Sequence, residues 1–358
     1  MIYLDYQATT PLAPEAREAM LRWLGGPDSD SFGNPHSPHR MGRMAAAAIE
    51  VAREKIAALF PSGGRVIFTS GATEATNLAI RGSDGDGPIA ISAIEHAAVL
   101  DTAQALGRAH VLGVDSEGLC DPAQGLPAET RLACVIQVNN EIGTIQPTAE
   151  WRAKTKEAGA LYLCDAVQAY GKLAIADADM IAVSAHKLHG PKGVGALWLR
   201  DGIELAEKQT GGGQESGLRS GTLSPALVAG FGAAAALAQE SMEMDAAHVE
   251  TLWARARELF EGWTLNGSED ARWHGNLNIR RNGLDVARLM SDCRDVMFSV
   301  GSACASGSGR PSHVLKAIGL TDRQAKSSIR LGFGRYTTLD EIERAARAIN
   351  AAAKEQGI

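Results

Sequence analysis

The chain runs Ala160-Leu161-Tyr162-Leu163-Cys164-Asp165 and, after a loop, Met180-Ile181-Ala182-Val183-Ser184-Ala185-His186-Lys187. Each stretch is a short apolar run that ends on polar or ionisable residues. Unalternated runs of this length fit strands buried on both faces. Outward from this pair, residues 66–68, 88–92, 132–138 and 196–199 give the same signature. Amphipathic stretches at 73–80, 97–106 and 149–158 separate them. Strand–helix alternation predicts an α/β fold with a large, mostly parallel sheet and helices on both faces.

Beyond Pro225 the pattern changes to a long Ala-rich helix and a second helix near 245–261, with a domain boundary expected between them, near residue 240. The remainder predicts strands at 276–279, near 296 and at 329–333. Helices are expected over 284–291, from 312 and from 338. Thr337 or Thr338 caps the last of these, with Asp340, Glu341 and Glu343 in its first turn. No internal repeat or low-complexity linker interrupts the chain.

The 358 residues exceed one compact core, so two domains are expected. A net charge of -7 without a long basic run disfavours nucleic acid and anionic membrane as direct partners. Met1-Ile2-Tyr3-Leu4-Asp5 lacks the basic start of a signal peptide, and the apolar stretch 226–238 is too short to span a bilayer, so a cytoplasmic location is expected. Cysteines at 120, 134, 164, 293 and 304 form no C-x-x-C pair and are odd in number, against a disulfide framework or zinc knuckle. Four have apolar neighbours; Cys304 stands in Ser302-Ala303-Cys304-Ala305-Ser306-Gly307-Ser308-Gly309, a Gly/Ser-rich loop of the kind that delivers chemistry.

Ligands of open α/β sheets bind beyond the carboxyl ends of the strands, and the polar clusters fall there. Thr69-Ser70-Gly71-Ala72-Thr73 opens a helix whose free N–H groups suit a phosphate; an N-capped turn explains it equally well. Asp165, just past an apolar run, fits a partner for a pyridinium nitrogen or a helix cap. Lys187, beside His186 and before Gly190-Pro191, is placed for desolvation and thus for nucleophilic attack on an aldehyde; a solvated loop lysine is the alternative. His96 reads as an imidazole over a cofactor ring, able to move protons near neutral pH, or as a solvated helix-start residue. Asn139-Asn140-Glu141 offers amides to a substrate. Arg330 offers a bidentate clamp for a carboxylate or a surface ion pair.

Taken together and in this order, these motifs resemble the cysteine desulfurases among the fold-type-I pyridoxal-phosphate enzymes. The resemblance runs from Tyr3-Leu4-Asp5-Tyr6-Gln7-Ala8-Thr9-Thr10-Pro11 through Gly33-Asn34-Pro35-His36-Ser37 to Gly334-Arg335-Tyr336-Thr337. It implies a large cofactor-binding domain over 13–240, and a smaller α+β domain from 1–12 and 241–358 that carries the nucleophile loop. It implies pyridoxal 5'-phosphate on Lys187, Asp165 at the ring nitrogen, Gln168 at the phenolic oxygen and His96 stacked on the ring as an acid/base. Thr73, Ser184 and His186 would hold the phosphate, and Thr222 would reach the phosphate of a second subunit in a homodimer. Asn140 and Arg330 would bind the carboxylate of L-cysteine, and the Cys304 thiolate would take its sulfur as a persulfide, leaving alanine. The acceptor would be a sulfur-carrying protein, either a cluster scaffold or a thiolation carrier. No intrinsic metal is implied, although Cys304 could serve as a transient iron–sulfur ligand.

The sequence departs from the iron–sulfur-assembly type at Gly309-Arg310-Pro311, at Cys164 and in ending at Ile358, short of that type's scaffold-docking tail. The acceptor therefore stays open. Two other readings use the same residues: a selenocysteine lyase or related pyridoxal-phosphate aminotransferase, and a non-catalytic partner subunit.

Overall fold

A computed structural model describes residues 1–83, 85–301 and 312–358. Its larger sheet has seven strands in the order Gly64–Thr69, Gly195–Arg200, Met180–Ser184, Leu161–Asp165, Leu132–Cys134, Ile89–Ser92, Ala109–Leu112. All run parallel except Gly195–Arg200, which is antiparallel to both neighbours. The mostly parallel α/β expectation holds. Register aligns Asp165 with Ala182, two residues before Ser184, and Ser184 with Gly195, so the polar ends of the two central strands fall at one edge of the sheet. Both faces are covered, and every residue of Met180–Ser184 is buried.

The strand expected over 132–138 ends at Cys134. Its neighbour Ile89–Ser92 pairs Ile91 with Cys134 and runs only one residue further, and the Glu95 carboxylate takes the Ile136 N–H at 2.6 Å in place of a strand partner. The edge strand Ala109–Leu112 and the helices Pro14–Leu21 and Arg40–Ala57 were not anticipated from the sequence pattern.

The two helices expected on either side of residue 240 are one helix, Pro225–Leu259. The polar run Gln239-Glu240-Ser241-Met242-Glu243-Met244-Asp245 suggested a break, but it contains neither Gly nor Pro. It is polar because the helix crosses solvent between two cores. Phe231, Ala234, Ala235 and Ala238 pack in the core of the large sheet. Leu252, Trp253 and Ala256 pack in a second core with Ile2, Leu4, Leu277, Leu331 and Ile349. At 1.5 Å per residue the helix is about 50 Å long.

The second core lies against a four-stranded antiparallel sheet, ordered Ser299–Val300, Ser328–Gly332, Asn276–Arg280, Thr264–Leu265. The N-terminal strand Ile2–Tyr3 pairs parallel with Val296–Met297, which ties the start of the chain to this part. The last helix, Leu339–Glu355, is capped by Thr338 in a reciprocal capping box with Glu341.

Candidate active site

The central strands deliver Asp165 and Ser184 as their final residues. After Ser184 one 3-10 turn, Ala185–Lys187, sets Lys187 over the sheet edge. The chain reverses through His189 at φ 68, and the Gly190 N–H returns to the Ala185 carbonyl at 2.9 Å. A Cβ on Gly190 would lie 2.8 Å from that oxygen, so only glycine closes the turn. Lys187 Nζ donates to the Ala8 carbonyl at 2.8 Å and also to the Gln7 carbonyl.

Thr73, His96, Asn140, Asp165, Gln168, Ser184, His186, Lys187 and Arg330 line one cavity of about 320 Å³, together with Gln7, Ala8, Ala72 and others. Its size falls at the lower end of the ~300–1,000 Å³ typical of small-molecule sites. The Asp165 carboxylate is buried and accepts the Val167 N–H at 3.0 Å. Burial raises its pKa, against the opposing pull of His96, the Val167 N–H and Lys187. A cation in the cavity would oppose that rise and favour the charged form.

Ser184 Oγ accepts the Ala72 N–H at 2.8 Å, pinning the first turn of helix Ala72–Gly82 to the strand end. That approach requires Gly195, whose Cβ would come within 2.6 Å of the Gly71 Cα. His186 Nδ1 lies 3.1 Å from Thr9 Oγ1; burial, with Lys187 beside it, pushes its pKa down to about 4. His96 caps helix Ala97–Ala105, its Nδ1 accepting the Ala98 N–H at 3.1 Å, and desolvation lowers its pKa. Gln168 Nε2 donates to the Gln7 carbonyl at 3.1 Å, while its Oε1 is buried without a hydrogen-bond partner.

Arg330 comes from the second sheet and is fully buried. It donates to the Asn140 carbonyl at 2.9 Å and to Asp5 Oδ1 at 2.8 Å. The loop that carries Asn140 is held from the same side: Asn278 Nδ2 donates to the Glu141 carbonyl at 2.9 Å, and the Trp273 N–H to Gly143 at 2.9 Å. Thr222 is exposed and lies outside the cavity, on a stretch tethered by Arg219 to Glu74 at 2.6 Å. Cys304 falls outside the described residues.

Sequence reasoning assigned no role to Gln7 and Ala8. Both act through backbone carbonyls, which leave no trace in residue type. The buried carboxyls of Glu95 and Glu141, flanking His96 and Asn140, also went unassigned. Glu141 accepts from Ser312 Oγ, and burial raises the pKa of both.

The family described as Aminotransferase class-V matches residues 2–345. The chain is 40% identical to "Cysteine desulfurase IscS" of Colwellia psychrerythraea, over 98% of this chain and 92% of that protein. It is 39% identical to "Cysteine desulfurase, mitochondrial" of Saccharomyces cerevisiae, over 98% of this chain and 74% of that one. The chain belongs to the cysteine desulfurases of the class-V aminotransferase family. Among solved structures of similar fold, a "NIFS-LIKE PROTEIN" superposes with TM-score 0.90 at 29% identity, covering 99% of each chain. The structure described as "SspA in complex with cysteine" gives 0.81 at 35% identity, covering 94% of this chain and all of that one. The fold is thus that of the NifS-like enzymes.

The cavity of this family member fits pyridoxal 5'-phosphate on its own chemistry. It offers an amine for an aldehyde, a buried carboxylate for a protonated ring nitrogen and an orphaned acceptor, Gln168 Oε1, for a phenolic hydroxyl. The first turn of helix Ala72–Gly82 supplies N–H groups for a phosphate.

Proposed function

We propose that this chain is a pyridoxal-phosphate-dependent enzyme that removes sulfur from L-cysteine, giving L-alanine and a persulfide on Cys304. The single observation that carries the reading is the meeting of Lys187, Asp165 and His96 around one cavity that also holds Arg330. The cofactor, when bound, supplies an aldehyde that condenses with amines and a ring that accepts electron density from the substrate Cα. Lys187 would hold it, Asp165 would keep its ring nitrogen protonated, and His96 and Gln168 would contact its ring and oxygen. Thr73, Ser184 and His186 would surround its phosphate.

Arg330 and Asn140 would seat the substrate carboxylate. The Cys304 thiolate attacks the substrate sulfur, the C–S bond breaks, and protons return to carbon. L-Cysteine and one thiol thus become alanine and one persulfide with no external oxidant. The sulfur then passes to an acceptor protein, for cluster assembly or thiolation. In this reading Thr222 meets a second copy's phosphate in a homodimer, and the enzyme works in the cytoplasm. The large part, 13–240, would hold the cofactor, and 1–12 with 241–358 would carry the nucleophile; the two main cores follow that division except for Val249 and Trp273 in the first, and a smaller cluster joins Ile94, Ile136 and Ile142 to Val314 and Leu315 across it. Among the described residues no helix is long and apolar enough to cross a membrane.

Absorbance spectra and product analysis test the proposal. Purified protein should be yellow and release alanine and sulfide from L-cysteine with dithiothreitol, without a keto acid. Lys187→Ala should lose the colour and Cys304→Ser the sulfide. Colourless wild type would favour a partner subunit. A keto-acid requirement would favour an aminotransferase.

A further inference from the structure

Helix Ala72–Gly82 opens at the cavity and carries in its first turn a carboxylate, Glu74, that the proposed chemistry does not use. The side chain is mostly buried, 21% exposed. Its Oε2 accepts the Ser70 N–H at 2.6 Å, which closes the turn leading into the helix. On its other side Arg219 holds it with a fork: Nε donates to Oε1 at 2.6 Å and Nη2 to Oε2 at 3.3 Å. Burial pushes the Glu74 carboxyl up, but the guanidinium and the Ser70 contacts outweigh it and hold the group below the ordinary carboxylate range. Glu74 is therefore an anion at neutral pH.

An anion in the first turn takes up the positive end of the helix. A phosphate at the same end competes for that dipole and meets the carboxylate as a like charge. Arg219 removes the conflict by neutralising Glu74 where it stands. The loop's other acid, Glu215, repeats the arrangement: it accepts the Phe68 N–H at 2.7 Å and is matched by Arg53 at 2.9 Å. Two carboxylates thus grip the backbone that runs into this turn, each paired with an arginine. Neither Arg219 nor Glu74 lines the cavity, so the pair acts on a ligand only through the turn and through its charge.

We propose that Arg219 is a positioning residue for the phosphate of the bound cofactor: it cancels the charge of Glu74, so that Glu74 fixes the Ser70 amide without repelling the phosphate. This rests on the assignment of the cavity to pyridoxal phosphate. A plain tether for the loop that carries Thr222 behaves differently, because cutting a tether from either end does the same damage. Under charge cancellation the ends are unequal. Losing Arg219 leaves an uncompensated anion beside the phosphate, and removing that anion as well repairs the loss.

The test is titration of the full chain, stripped of cofactor, with pyridoxal phosphate and separately with pyridoxal, read by absorbance. Arg219→Gln should weaken pyridoxal phosphate about tenfold, the scale of one uncompensated charge near a protein surface, and pyridoxal by less than about twofold. Glu74→Gln keeps an acceptor for the Ser70 N–H and removes the charge. Added to Arg219→Gln, it should return the affinity to within about threefold of wild type. Equal weakening for both aldehydes would overturn the proposal, and so would a double variant as weak as Arg219→Gln. Inorganic phosphate supplies an arm without a chromophore: it should raise the Tm of the stripped wild type and of the double variant, but not of Arg219→Gln. A protein that binds no pyridoxal phosphate would sink the proposed function, while the phosphate arm still decides what Arg219 does.

Discussion

Arg330 Nη2 stands 2.8 Å from Asp5 Oδ1, joining a buried strand of the second sheet to the segment that supplies the carbonyls facing Lys187. Ser299 Oγ donates to the same carboxylate oxygen at 2.9 Å. The guanidinium is therefore oriented before any substrate arrives, with Asn140 held on its other side.

From this follows a prediction for substrate binding. Arg330→Lys keeps the charge but loses the planar fork. Hydrogen bonds to charged groups contribute about 1.5–3 kcal/mol, so KM for L-cysteine should rise about 10- to 150-fold, with a smaller fall in kcat. Steady-state kinetics check it; an unchanged KM would remove Arg330 from carboxylate binding.

Asp5→Asn removes the charge that orients Arg330 while keeping an acceptor oxygen. It should raise KM less than Arg330→Lys does and leave the cofactor spectrum unchanged. A lost chromophore would instead place Asp5 among the cofactor contacts.

The continuity of Pro225–Leu259 is open to a direct test. Glu243 is exposed near its middle. Glu243→Pro should destabilise the protein by about 3 kcal/mol through the lost hydrogen bond and ring clash; Glu243→Ala should be neutral. Denaturant titration reads both, and a tolerated proline would mean two helices.

Glu95 is fully buried, one carboxyl oxygen on the Ile136 N–H and the other unpartnered, and burial raises its pKa well above the ordinary value. The native state thus holds this proton more tightly than the unfolded chain. This contribution to stability is full below the unfolded pKa and is lost as pH climbs above it. Glu95→Gln keeps the acceptor and removes the ionisation. It should raise Tm by about 2–4 °C near pH 8 and give no gain near pH 4. An equal effect at both values would contradict the assignment.

The clusters at the strand ends were legible because an apolar run that stops on Asp165 or Ser184 places those residues at a sheet edge, whatever the neighbouring strands do. Sheet class and the capped last helix followed from the same local rules. The strand Ala109–Leu112 was hidden because it is a short, partly exposed edge with weak patterning. Helix Arg40–Ala57 was missed because its buried face holds only two large apolar residues, Ile49 and Ile56, among Gly42, Ala45 and Ala52, which gives little contrast. The polar middle of Pro225–Leu259 looked like a break because a helix bridging two cores is solvated between them. The carbonyls of Gln7 and Ala8 could not be seen at all, since every residue carries one.

The most direct measurement is a single turnover of the yellow, cofactor-loaded protein with L-cysteine in the absence of reductant, followed by mass spectrometry of the Cys304 peptide and amino-acid analysis. One alanine per site, matched by the gain of one sulfur atom on Cys304, is the predicted result. Alanine formed with no sulfur on Cys304, or no alanine despite a bound chromophore, would contradict it.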